Sequence, residues 1–166
     1  MKSIFVQIII LACALSANGQ TSAEYIDMGF EKLNQEDYNG AIEDFNKSIE
    51  TKSKNDIAYY YKGIAKFNLK NYDGAISDFT KAIKIDHNDG DFYCFRGRAK
   101  FAQLNYSGAR KDYNKAIKID PKVAEFYYYR GLLNERIEEY DDAVNDFTKV
   151  IDIDSADSFA YYYRGR

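Results

Sequence analysis

The sequence predicts an all-α chain of antiparallel helix pairs stacked into a solenoid, and three observations predict it. One pattern recurs every 34 residues without insertion, giving copies at 22–55, 56–89, 90–123 and 124–157 and the opening of a fifth at 158–166. Small residues keep that period in two columns: Gly29, Gly63, Gly97, Gly131 and Gly165, then Ala41, Ala75, Ala109 and Ala143. Aromatics keep it in two more: Tyr38, Tyr72, Tyr106 and Tyr140, then Phe45, Phe79, Tyr113 and Phe147. A repeat of this length is one supersecondary unit that buries its apolar face only against neighbouring copies.

Each copy divides into two helical stretches, as at 56–69 and 73–85 in the second copy. Asn39, Asp73, Ser107 and Asp141 stand at the break. Such side chains accept bonds from the unpaired amides at a helix start, so they are the expected caps of the second helices. The Gly column on the first helices and the Ala column on the second mark where two backbones are expected to approach closely.

Residues 1–19 are a different kind of sequence. A short basic start, Met1-Lys2-Ser3, leads into an apolar run over 4–17 broken only by Gln7 and Ser16, and Ala17 and Gly19 supply small residues two apart. The run is too short for a membrane span, which needs about 20 residues, and fits a signal peptide cleaved between Gly19 and Gln20. The mature chain is then exported, periplasmic or extracellular, with no direct membrane binding. The alternative is anchoring, through an uncleaved leader or a lipidated Cys13 after Leu11-Ala12. Cleavage leaves Cys94 as the remaining thiol, which excludes an intramolecular disulfide.

Composition narrows the function classes. A formal charge of −3 with both signs interspersed gives no electrostatic footprint for nucleic acid. His87 is the single histidine, so metal binding through paired histidines and Ser/His/Asp or Cys/His catalysis lack their parts. The stretch 86–91 resembles a calcium loop only in acidity, since Gly90 falls on a ligand position and Gly97 on the closing acidic one. No glycine loop for phosphate is present. The expectation is no enzyme, no cofactor and no metal.

The columns resemble the tetratricopeptide repeat family over residues 22–166. The family's aromatic slot holds Tyr25, Tyr59, Tyr93, Tyr127 and Tyr161, its Gly, Ala and Phe slots are filled as above, and Pro121 matches the closing proline. Its Leu slot departs, holding Met28, Lys62, Arg96, Arg130 and Arg164, as does its later Tyr slot, holding Lys32, Lys66, Lys100 and Asn134. The resemblance implies a right-handed solenoid whose first helices line a concave groove for a partner's peptide. The groove stripe it implies is Ile26, Phe30 and Leu33; Tyr60, Ile64 and Phe67; Cys94, Arg98 and Phe101; Tyr128, Leu132 and Glu135. A stripe at helical spacing also describes a core.

Some family members grip a C-terminal carboxylate with Lys and Asn in an early repeat, where this chain has Ile26 and Phe30. An apolar or aromatic peptide fits better. Three or four half-covered anchors supply about 4–6 kcal/mol, against about 4 kcal/mol or more for association, so one peptide is expected to bind in the micromolar range or more weakly.

The substituted Leu slot prompts a further expectation. Lys62, Arg96, Arg130 and Arg164 match an acidic column, Asp44, Asp78, Asp112 and Asp146, and only the first copy, with no preceding Asp, lacks a base. This predicts an inter-repeat ladder pairing Asp44 with Lys62, Asp78 with Arg96, Asp112 with Arg130 and Asp146 with Arg164; independent surface charges are the alternative. At the C-terminus, Tyr161-Tyr162-Tyr163 make a poor polar cap, which predicts continuation beyond Arg166. The functional expectation is an exported scaffold binding a protein or peptide. The alternatives are a spacer, an array self-associating through its last repeat, or an accessory segment of a larger sensor or enzyme.

Overall fold

The computed structural model describes residues 20–165. The expected leader, its cleavage site and Cys13 lie outside the described residues. Among the described residues there are helices and no strands: α1 (Ser22–Asn34), α2 (Tyr38–Thr51), α3 (Asp56–Asn68), α4 (Tyr72–Ile85), α5 (Gly90–Ala102), α6 (Tyr106–Ile119), α7 (Ala124–Arg136), α8 (Tyr140–Ile153) and α9 (Ser158–Arg164). Helices pair as α1/α2, α3/α4, α5/α6 and α7/α8, each second helix packs on the next first helix, and α1, α3, α5 and α7 also touch in succession. The first helices therefore stand side by side along one face.

The Gly column has a different cause from the one expected. A Cβ on Gly63 would lie 2.6 Å from the Phe79 ring, and Gly29, Gly97 and Gly131 meet Phe45, Tyr113 and Phe147 in the same way. Each glycine makes room for the fully buried aromatic of its own second helix, so the two columns are two halves of one contact.

The caps also move. In the first three copies the caps stand two residues earlier than expected: Asp37, Asn71 and Asn105 accept from the amides of Gly40, Gly74 and Gly108, each at 3.0 Å. Asn39, Asp73, Ser107 and Asp141 lie inside α2, α4, α6 and α8. The turn before each cap is closed by a residue in the left-handed region, Glu36, Lys70, Leu104 and Glu138, at φ 59–66°. Such φ values are uncommon for non-glycine residues.

The inter-repeat ladder is overturned. Each base pairs with the buried Asp of its own repeat: Lys62 with Asp78 at 3.4 Å, Arg96 with Asp112 at 2.7 Å and Arg130 with Asp146 at 2.6 Å. Asp44, which has Met28 in place of its base, is met by Lys32 at 2.6 Å and Lys47 at 3.3 Å. Lys66 and Lys100 join Asp78 and Asp112, at 2.6 and 2.7 Å, so the two departures from the family pattern serve the same acid. The bases do reach the preceding repeat, through neutral partners: Lys62 donates to Asn46 at 3.1 Å, Arg96 to Thr80 at 3.2 Å and Arg130 to Asn114 at 2.7 Å. Burial pushes the Lys62 ammonium below the usual lysine range, Asp78 opposing it.

The last copy varies the scheme. Asn134 replaces the lysine, donates to Asp146 at 2.9 Å and accepts from Arg110 of the preceding repeat at 2.9 Å. Arg110 also pairs with Glu139. Its column holds Ile42 and Ile76 in earlier copies, both packed against the core.

Candidate peptide-binding face

The face made by the first helices is where the expected groove residues fall, but not equally. Phe30 is exposed, and Ile26, Ile64, Phe67, Arg98, Phe101, Tyr128 and Leu132 are half-buried. Cys94 is 1% exposed and presents no surface to a partner; burial pushes its thiol well above the usual range. Tyr60 is turned into the repeat junction, with ring centroids 5.0 Å from Phe92, 5.3 Å from Phe95 and 6.0 Å from Phe79. Burial first, then the charge of Asp91, raises its phenol pKa.

One position further along α3, α5, α7 and α9 lies a column that the stripe passed over: Tyr61, Phe95, Tyr129 and Tyr163, again 34 apart. Tyr61 lies edge-on to Phe30 at 5.4 Å. Phe95 and Tyr129 flank the Arg98 guanidinium, each with its ring centroid 4.4 Å away, and Phe67 lies at 5.5 Å. One side chain of α5 thus gathers rings from α3, α5 and α7. A guanidinium over aromatic faces is attracted by their electron-rich rings.

The ion pair beside this stack is loose. Glu125, half-exposed on α7, approaches Arg98 at 3.6 Å. Asp91 lies on the same side of α5, its carboxyl raised by burial and by the neighbouring charges of Asp89 and Glu125. Burial holds the Tyr129 phenol at about 12, against the lowering effect of Arg98. The face therefore combines apolar and aromatic side chains with the Arg98 cation, paired with Glu125 at 3.6 Å. Among the described residues, no group of three or more His, Cys, Asp or Glu is arranged to hold a metal ion. No helix among them is long and apolar enough to cross a membrane.

Stacked helix pairs with a row of first helices on one face define a helical-repeat interaction scaffold. Family models described as tetratricopeptide repeat match residues 57–89 and 124–157, and one described as TPR repeat matches 97–138. The chain belongs to the tetratricopeptide repeat family.

Among solved structures it is similar to MamA, with a TM-score of 0.77 at 25% identity over 87% of this chain and 79% of that one. It is also similar to the TPR domain of Arabidopsis OM64, with a TM-score of 0.65 at 27% identity over 67% and 92%. The first TPR of Spaghetti (RPAP3), solved bound to an HSP90 peptide, shares the fold at a TM-score of 0.68 and 23% identity over 70% and 93%. No curated protein matches the chain in sequence.

Proposed function

We propose that this chain is an exported scaffold that holds a peptide segment of a protein partner along its first-helix face. The observation that carries the reading is the Arg98 stack, a cation fixed by rings from three successive repeats and paired only loosely to Glu125. The walls formed by Phe30, Tyr61, Phe95 and Tyr129 suit an apolar or aromatic peptide, and Arg98 suits one carboxylate on it, exchanged for Glu125. Peptide binding by a neighbour of the same fold supports the reading at the level of fold. Export rests on the apolar run over 4–17 and is checked by sequencing the N-terminus of the secreted protein, expected at Gln20.

The test is selection of peptides from a displayed library, followed by titration of the winners. Affinities near micromolar are expected. Arg98→Ala and Tyr61→Ala should each weaken binding by about tenfold, equivalent to 1.4 kcal/mol, with helicity unchanged. Selected peptides that bind both variants as well as the parent would move the binding surface elsewhere.

A further inference from the structure

Each second helix presents an exposed stripe at i, i+4 and i+7, and the stripes differ in charge from one copy to the next. On α6 the stripe is Lys111, Lys115 and Lys118, and on α4 it is Ser77, Lys81 and Lys84. The same positions on α2 and α8 include acids, Glu43 and Glu50 on the former and Asp152 on the latter. The middle of the array therefore sets five lysines on two successive second helices with no acid among them. The chain as a whole has a formal charge of −3, yet residues 90–123 carry eight lysines and arginines against three aspartates. The basic excess is local and does not follow from composition.

The acids on hand are already engaged. Asp78 and Asp112 are buried beneath the stripes and each meets two cations of its first helix, while Asp73 accepts from Gln103 at 2.7 Å. Just past the helices, Asp86 and Asp120 accept from the turn amides of Asn88 and Lys122. Lys81 approaches Asp78 only at 3.8 Å, and Lys84, Lys111, Lys115 and Lys118 make no ion pair among the described residues. Folding accounts for part of the pattern: Lys84 and Lys118 complement the dipole in the last turns of their helices, and Lys81 and Lys115 lie over the Tyr59 and Tyr93 rings at 5.3 and 5.7 Å. Lys111 has neither role, and like charges four residues apart destabilise a helix.

We infer that the outer edge of α4 and α6 is a second interaction surface, which docks an acidic segment of a partner protein on Lys81, Lys84, Lys111, Lys115 and Lys118. Charge complementarity selects the occupant, since unpaired ammonium groups in two rows fit a run of carboxylates. Neither α4 nor α6 carries an exposed large apolar or aromatic side chain, so the patch lacks both the apolar face that seats a peripheral protein in a bilayer and the stacking platform that holds bases. A second copy of this chain fits poorly, because the matching stripes of α2 and α8 have Lys47 and Lys149 at their middles, opposite Lys115 when the ends are paired. This surface does not involve the Arg98 stack, and the two bind independently.

The test uses the full chain and a fluorescein-labelled peptide rich in glutamate, with a twin carrying glutamine at the same places. By anisotropy the glutamate peptide should bind and the twin should bind at least about tenfold more weakly, with the affinity of the first falling as salt rises. Lys111→Glu with Lys118→Glu, both at exposed positions and so compatible with folding, should weaken the glutamate peptide by about tenfold or more. Lys54→Glu with Lys149→Glu makes the same change of net charge at exposed positions outside the patch and should leave binding within about twofold of the parent. Arg98→Ala should change nothing.

Equal binding of the twins overturns the inference, as does equal weakening by the two pairs of substitutions, which reduces the effect to net charge. Tighter binding of phosphatidylserine vesicles or of an oligothymidylate strand than of the peptide, lost with Lys111→Glu and Lys118→Glu, overturns it in favour of a membrane or a nucleic acid. Self-association in sedimentation at low salt that the same pair abolishes makes a second copy the occupant and overturns it too.

Discussion

The ring of Phe79 lies 2.6 Å from where Gly63 would carry a Cβ. Because that ring is fully buried, it has no free direction in which to withdraw. Gly63→Ala should therefore destabilise the array by about 1–3 kcal/mol, the usual cost of overpacking, despite alanine's better helix propensity. Urea unfolding measures it, and a gain in stability would show that the ring moves aside.

Asp112 is the shared partner of Arg96 and Lys100. Asp112→Ala leaves both cations largely buried without their acid, and removing one member of a buried ion pair costs about 3–5 kcal/mol. A midpoint shift far below that in denaturant titration would show that water or neighbouring carbonyls replace the carboxylate.

Leu104 sits in the left-handed region at φ 62° with its side chain mostly in solvent. Leu104→Gly loses little burial and relieves a backbone strain of about 1–2 kcal/mol, part of which is offset by the glycine's greater freedom when unfolded. A rise in melting temperature is expected; a fall would mean the side chain makes contacts that matter.

Alkaline pH should weaken the fold in a defined window. Unfolded tyrosines ionise near pH 10, approximately, while burial holds Tyr129 at about 12 and raises Tyr60 and Tyr113. The unfolded chain loses those protons first, so their contribution is intact below about pH 10 and declines as pH rises through the folded values. Lys62 has the opposite sign: its lowered folded pKa adds stability as pH rises toward its unfolded value of 10.5. Tyr129→Phe removes one ionising group and should move the alkaline unfolding midpoint upward, read by circular dichroism. An unmoved midpoint rejects the assignment.

Periodicity made the helices legible almost to the residue, because a pattern repeated in register averages out local ambiguity. The expected stretch 56–69 is α3, Asp56–Asn68. The caps were displaced because two cap-type positions follow each other, Asn71 and Asp73 for example, and a turn closed by Lys70 instead of glycine gives no composition signal. The charge ladder went wrong for a different reason. Lys62 lies 18 residues from Asp44 and 16 from Asp78, and two columns sharing one period do not say which neighbour is nearer in space.

The rotation of the first helices was legible to within one position. Adjacent residues on a helix point about 100° apart, so Tyr60 and Tyr61 lie on different flanks, and helix rotation set by both neighbours decides which junction each of them faces. Packing against Phe92 and Phe95 turns Tyr60 toward the following repeat, while Tyr61 stacks on Phe45 of the preceding one beside Phe30. Arg98 appeared as a charge interrupting an apolar stripe; that it gathers rings from three helices is a property of the stacked array.

Arg110 gives the array a seam. Where Ile42 and Ile76 fasten their repeats with apolar contact, Arg110 joins the third repeat to the fourth by bonds to Asn134 and Glu139, which water can substitute at little net cost. Under mild denaturant, amides of α7 and α8 should exchange with solvent sooner than those of α3 through α6, so that the solenoid parts first between its third and fourth repeats, as cloth does along a stitched line.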